Sequence, residues 1–208
     1  MNISEEILSY GLSLETFAKL KKFAGVLVDW NAKMNLVSKN SMNDLWVRHI
    51  LDSLQLLSYL PNGVNTIVDI GSGAGFPAVV LAVAMAEKMP QTKLVLVESI
   101  TKKTVYLNDV VQKLGLKNVQ IINSRVENIV FKDVDVITAR AVAALDVLLS
   151  YQDKIGSGKT FGLYLKGKSY GQEVENARKN WDFACDVASN KYNDDGVVLK
   201  ISDVRRKK

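Results

Sequence analysis

VDIGSGAGFP, residues 68 to 77, joins an apolar, β-rich run ending on Asp69 and Ile70 to a turn carrying Gly71, Gly73 and Gly75. A strand that opens into alternating glycines brings backbone close to something, either its own neighbours in a tight turn or a ligand. In an open α/β sheet, ligands bind at the carboxyl ends of the strands, which is where these glycines fall. The dinucleotide pattern G-x-G-x-x-G needs its third glycine at position 76, but that position is Phe76, followed by Pro77. A phenylalanine there obstructs the close helix-to-strand packing that glycine permits, which disfavours a nicotinamide cofactor. A phosphate loop fails too, because no Gly-Lys-Ser/Thr follows the turn. Glu98 closes the next β-rich run, KLVLVE, and a carboxylate at that place can accept from two ribose hydroxyls. Asp69, the three glycines and Glu98 together favour a nucleoside cofactor over a plain turn.

Outward from this stretch, β-rich runs alternate with helical ones. The β-rich runs are TIVDI, KLVLVE, VQIIN, VDVITA, FGLYLK, FACDVA and GVVLKI. Between the first four lie FPAVVLAVAMAEK, TKKTVYLNDVVQKLG and SRVENIVF; the second has Leu107, Val110, Val111 and Leu114 on one face and Gly115 to end it. Such alternation predicts an α/β fold with a doubly wound, mostly parallel sheet. NKYNDDG favours a turn between two antiparallel neighbours at the end, which makes seven strands. Earlier in the chain, Leu14, Phe17, Leu20, Ala24, Leu27 and Met34 recur at helical spacing, and NDLWVRHILDSLQLLSYL reads as a second helix ending before Pro61. Residues 1–60 are therefore expected to form a helical extension packed on a core of residues 61–208, with PNGVN as the boundary.

The chain has 208 residues, 48% hydrophobic and 24% charged, the balance of a globular protein. Its longest apolar run stops at Glu87, short of the roughly 18 residues a membrane span requires. The start MNISEEILSYG has neither the basic head nor the apolar run of a secretory signal, so a cytoplasmic location is expected. One cysteine, Cys185, and one histidine, His49, cannot build a zinc site of the usual ligands, and no metal is expected. Cys185 reads as a small buried hydrophobe. The formal net charge of +5, part of it in the tail RRKK, suits a nucleic-acid partner without requiring one.

With Glu98, the glycine stretch resembles the S-adenosylmethionine loop of class I methyltransferases. DWNAKMNLVS (29 to 38), RHILDSL (48 to 54), DIGSGAGFP (69 to 77), SRVENI (124 to 129), TARAVAAL (138 to 145) and LYLKG (163 to 167) are similar to the successive motifs of the bacterial ribosomal RNA small subunit methyltransferase G family. Of these, RHILDSL is much more specific than the glycine loop. The resemblance implies a Rossmann-like class I methyltransferase fold, S-adenosylmethionine as cofactor, and methylation of N7 of a guanine in 16S ribosomal RNA. It implies cofactor contacts at Gly71, Phe76, Val126, Glu127 and Arg140, and the general class I pattern adds Asp69, Gly73, Gly75 and Glu98. Two positions depart from the family: Ala78 stands where glycine is often found, and Glu98 where aspartate is frequent. A helix position accepts alanine well, and the longer acid keeps two acceptor oxygens.

Guanine N7 is a bare acceptor with no proton to remove, so in-line displacement there needs alignment and no general base. No catalytic side chain is expected. N7 faces the major groove, deep and narrow in A-form RNA, so the target should lie in a loop or be extruded, in naked RNA or within a small-subunit particle. Arg48 and His49 are candidates for RNA contact, although His49 reads equally as a helix-surface or capping residue and Asp52 could pair with Arg48. Lys166 could meet a phosphate or stay solvated; Lys33 and Asn35 are weaker RNA candidates. Trp30 is expected in the core, and Lys102 and Lys103 read as surface charge. Arg140 could be an ion-pair partner, but its place at a strand's carboxyl end favours the pocket. A monomer is expected. Two rivals stay open: a methyltransferase for a small molecule or protein, and a non-enzymatic RNA-binding or ribosome assembly protein that keeps the loop.

Overall fold

The computed structural model describes residues 2–131 and 133–208. Seven strands form one sheet in the order β3-β2-β1-β4-β5-β7-β6. β1 (Thr66–Ile70), β2 (Lys93–Glu98), β3 (Val119–Asn123), β4 (Val136–Arg140) and β5 (Phe161–Lys166) run parallel. β7 (Val197–Arg206) is antiparallel to both β5 and β6 (Trp181–Ser189). All seven β-rich runs thus become strands, and the last two form the expected hairpin. Side chains alternate across the sheet: Ile67, Leu94 and Leu96 enter one core, while Val68, Ile70, Val95 and Val97 enter the other.

The strand order decides where a ligand can bind. From β1 the chain winds outward to β2 and β3, then returns to β4 on the other side of β1. The connections leaving β1 and β4 therefore go opposite ways, and a crevice opens beyond the carboxyl ends of these two neighbours.

The helices α1 (Ile3–Ser9), α2 (Leu14–Asn31) and α3 (Lys39–Asn43) precede the sheet. α5 (Ala78–Lys88) is buried continuously from Ala78 to Met85. A helix apolar on all sides must be covered on all sides. Here the sheet lies beneath it, and α2 and α4 (Asp52–Leu54) pack against it from outside. Leu20, Phe23 and Leu27 on one face of α2 are fully buried in that contact region, each contributing roughly 1.5–3 kcal/mol. Glu87 near the end of α5 accepts from the Ser13 backbone N–H at 3.1 Å, pinning the start of α2. α6 (Thr101–Leu114) lies on the same side and stops where Gly115 turns left-handed at φ +64°. α7 (Leu145–Ile155) and α8 (Tyr170–Ala177) cover the opposite face.

Two expected helices differ from a plain α-helix. The second helical run begins where α3 ends, at Asn43, and passes through a π-helical turn, Trp46–Leu51, into α4 and a 3-10 turn, Gln55–Tyr59. His49 on this turn and Asp52 just after it are both buried. SRVENIVF forms only a 3-10 turn, Val126–Asn128, because Val126, Ile129 and Val130 are poor helix formers in a run too short to offset nucleation.

Arg205 and Arg206 of the tail belong to β7. Since Val197 pairs with Lys166 and Ile201 with Gly162, β7 runs away from the crevice, and its basic end lies at the opposite end of the sheet. Among the described residues, no helix is long and apolar enough to cross a membrane.

Candidate functional site

The glycine turn holds the crevice open by having no side chains. Gly71, Gly73 and Gly75 have φ of +66°, +50° and +91°, a region open to glycine at little cost. At Gly71 a Cβ would also lie 2.7 Å from Cγ2 of Val142, across the crevice on the loop after β4. The turn is anchored from below: the N–H groups of Gly71 and Ser72 both donate to the Val97 carbonyl, at 2.8 and 3.1 Å. Tyr106 of α6 donates its hydroxyl to the Ala74 carbonyl at 2.9 Å. Phe76 avoids the obstruction expected of it by turning toward the N-terminal helices, where its ring lies 5.4 Å from Phe23 and stacks on His49 at 4.8 Å.

Glu98 is buried, and each of its oxygens already accepts a backbone N–H: Oε2 from Gly73 at 2.9 Å and Oε1 from Ile100 at 2.8 Å. The side chain expected to face a ribose therefore ties the glycine turn to the start of α6. Its neighbours Val97 and Ser99 line the adjoining cavity. Asp69, 1% exposed, accepts from the Thr138 hydroxyl at 2.6 Å through Oδ1, while Oδ2 has no partner among the described residues. Burial pushes its carboxyl up to about 7, against the hydrogen bond from Thr138 that lowers it.

β4 delivers Arg140 into a buried polar network. Its Nε lies 3.2 Å from Asp52, Nη1 2.8 Å from Nδ1 of His49, and Nη2 donates to the Arg48 carbonyl at 2.7 Å. The possible Arg48–Asp52 pair is thus replaced by Arg140–Asp52, with Arg48 exposed and Asp52 buried. Gln55 and Asn190 complete the carboxylate's shell, joining the turn between β6 and β7 to the helices. Burial raises Asp52 and lowers Arg140, and the opposite charge facing each pulls it back. His49 is 8% exposed, so it is neither a surface nor a capping histidine.

Three cavities line the crevice. One of about 220 Å³ lies over the ends of β1 and β2, bordered by Ser124, Val126, Glu127 and Tyr151. A second, also about 220 Å³, lies beneath the N-terminal helices between the glycine turn, His49, Lys103 and Arg140. The third, about 560 Å³, extends past β4 and β5 to Asn190 and Asn193. Gly71 borders the first two, Arg140 and Ala141 the last two, and Val142 the first and third. Ala141 itself sits at φ +54°, an uncommon place for a residue with a Cβ, at the junction of the cavities.

The remaining candidates divide. Val126 is buried under the first cavity, and Glu127 at its rim accepts from the Tyr151 hydroxyl at 3.0 Å. Lys166 borders the large cavity but is committed to Glu173 at 2.7 Å and the Ala143 carbonyl at 2.6 Å, so it is not a solvated lysine. Lys33 and Asn35 are exposed on the loop after α2, and Trp30 is half-buried with its Nε1 donating to Asp109 at 2.7 Å. Cys185 is half-buried on β6. Sequence reasoning passed over Asn31 and read Lys103 as surface charge. Asn31 accepts from the N–H groups of Leu36 and Val37, at 2.8 and 2.9 Å, and so holds both over the second cavity. Lys103 borders that cavity as well, and nothing in the sequence separates it from Lys102. Among the described residues no group of three or more His, Cys, Asp or Glu is arranged to hold a metal ion.

Comparison with known proteins gives the same outline. The family model described as rRNA small subunit methyltransferase G matches residues 16–193. A protein of Ruegeria sp. (strain TM1040) named Ribosomal RNA small subunit methyltransferase G is 39% identical over 199 residues, covering 96% of each chain. Its namesake in Rickettsia prowazekii (strain Madrid E) is 36% identical over 192 residues, 92% of this chain and 96% of the relative. Among solved structures, a SAM-dependent methyltransferase from Aquifex aeolicus superposes with a TM-score of 0.56 at 20% identity, covering 72% of this chain and 88% of its own. A ribosomal protein L11 methylase from Lactobacillus delbrueckii subsp. bulgaricus gives 0.58 at 14% identity, covering 75% and 78%. The structural likenesses establish a Rossmann-like fold.

Proposed function

The chain belongs to the rRNA small subunit methyltransferase G family, and on that premise we propose that it transfers the methyl group of S-adenosylmethionine to N7 of a guanine in 16S ribosomal RNA. The observation that carries the proposal is the meeting of three cavities around Gly71, Ala141 and Val142. Two small cavities sharing Gly71 suit the two ends of one elongated cofactor, and the third suits the acceptor base. A backbone cradle that a Cβ at Gly71 would fill supports the fit. Val126, Glu127 and Tyr151 would border the adenosine, with Gly71, Gly73 and Arg140 toward the other end. When bound, the cofactor supplies a methyl group activated on a sulfonium.

The protein's own contribution is alignment. The turns after β1 and β4 fix Gly71 and Ala141 from opposite sides of the crevice, so the junction between the cavities is held by backbone. N7 carries a lone pair and no proton, so no side chain has to accept one. The chain's chemistry agrees: the only histidine has its Nδ1 lone pair taken by Arg140, and Asp69 is sealed beneath the turn. In the large cavity Glu173, whose Oε1 has only a 3.4 Å contact from the Ser169 hydroxyl, offers an acceptor for an N–H group of guanine, and Asn193 offers an amide donor for O6.

An extruded base would fill the large cavity while its RNA stays outside. One chain carries all three cavities, so a monomer suffices, and an rRNA substrate puts the reaction in the cytoplasm. The test is incubation with methyl-labelled S-adenosylmethionine and small-subunit RNA, naked or in particles, from cells lacking the modification. Label should enter the RNA in one of these forms; label in neither form would sink the proposal.

A further inference from the structure

Lys103 is half-buried at the edge of the second cavity, and among the described residues it has no hydrogen-bond or ion-pair partner for its ammonium. Of the other crevice cations, Arg140 is committed to Asp52 and Lys166 to Glu173, while Arg125 stands exposed at the rim of the first cavity. His49 borders the same cavity. Since a guanidinium can only donate, the 2.8 Å contact from Arg140 makes Nδ1 of His49 the acceptor and puts the ring proton on Nε2. That Nε2–H is buried and has no acceptor among the described residues. A buried donor left unpaired costs about 1–3 kcal/mol, and such a group calls for a partner. A free cation and an orphaned donor on one small cavity select an anion.

The other end of the crevice has a different character. Its cavity is bordered by the exposed side chains of Arg125 and Glu127, whose charges oppose each other, and by Val97, Val126 and Tyr151, a setting for a flat, uncharged base. Charge thus orders the cofactor along the crevice. Resting on the cofactor assignment above, we propose that Lys103 and the Nε2–H of His49 hold the carboxylate of the cofactor's amino-acid end. The sulfonium then falls near Gly71, which borders both small cavities and faces Val142 at the rim of the acceptor cavity. Lys103 is a binding residue, and Arg140 positions His49 by fixing its tautomer.

A pair of ligands isolates this contact: S-adenosylmethionine carries the amino-acid end, and 5′-methylthioadenosine lacks it. Calorimetric titration of wild type and Lys103→Met with both should show the variant binding S-adenosylmethionine about tenfold more weakly and methylthioadenosine within about twofold of wild type. Equal loss for both ligands, or loss for neither, overturns the assignment of Lys103. His49 is the only histidine in the chain, so its ring nitrogens give an unambiguous NMR signal in the unmutated protein. The proton should be found on Nε2, and that resonance should move with S-adenosylmethionine and stay with methylthioadenosine. Identical spectra with the two ligands overturn the assignment of His49. Wild type binding neither ligand would instead remove the cofactor assignment on which both rest.

Discussion

Arg140 and His49 lie 91 positions apart in the chain and meet at 2.8 Å, Nη1 to Nδ1. The contact leaves the imidazole neutral, with no lone pair facing the crevice. Together with the facing Arg140 and Arg48 charges, burial holds the ring down to about 4 from an ordinary 6.5, burial being the larger cause. The same guanidinium grips Asp52, so the RHILDSL segment and the end of β4 form one unit.

Removing Asp52 should expose that dependence. Asp52→Ala leaves Arg140 without its counter-ion and Gln55 and Asn190 without their shared acceptor. Loss of one member of a buried pair costs roughly 3–5 kcal/mol, and the partial exposure of Arg140 puts the expectation at the lower end, about 3 kcal/mol. Urea unfolding measures it; a loss under about 1 kcal/mol would mean the pair contributes no more than a surface salt bridge.

Stability against pH should carry two opposed contributions. From pH 6.5 down to about 4 the unfolded chain protonates His49 while the folded one does not, so this group's stabilisation is lost as pH falls. Asp69 acts the other way. With its carboxyl near 7 in the fold against 3.8 outside it, the folded chain holds an extra proton, and that stabilisation is lost as pH rises toward 7. Asp69→Asn removes the second contribution. The variant's stability should then rise with pH between 4 and 6.5 more steeply than wild type's, by at most ~1.4 kcal/mol per pH unit. Parallel profiles would show that Asp69 is not protonated in the fold.

Gly71→Ala should be damaging for two reasons, the φ of +66° and the 2.7 Å approach to Val142. The first costs about 1–2 kcal/mol whatever the surroundings. The second is specific, so Gly71→Ala with Val142→Ala should recover part of the lost cofactor affinity. No recovery in the double variant would assign the whole effect to backbone conformation.

Glu98→Gln offers one acceptor oxygen where the carboxylate offers two, and sets an NH2 group against a backbone donor, that of Gly73 or Ile100. We expect the glycine turn to loosen, with cofactor affinity falling at least tenfold and amide exchange at Gly73 accelerating. Weakened binding with unchanged exchange would instead return Glu98 to direct contact with the cofactor.

The sheet was legible because each strand announces itself locally through β-branched runs broken by turns, and the crevice follows from the glycines after β1. The network around Arg140 was not. Its members come from the π-helical turn, the end of β4 and the turn before β7, and no local pattern marks a pairing that only the folded chain creates. The π-helical turn itself likewise has no spacing signature in RHILDSL. Lys103 and Lys102 are adjacent lysines at the start of α6; only the packing of α6 on the glycine turn gives one of them a cavity.

The central claim is the site of methylation, and the most direct measurement is nucleoside analysis of 16S ribosomal RNA after reaction with purified protein and labelled S-adenosylmethionine. Digestion to nucleosides and mass spectrometry should recover the label as 7-methylguanosine and in no other nucleoside. Label in any other nucleoside, or none in the RNA, would contradict it.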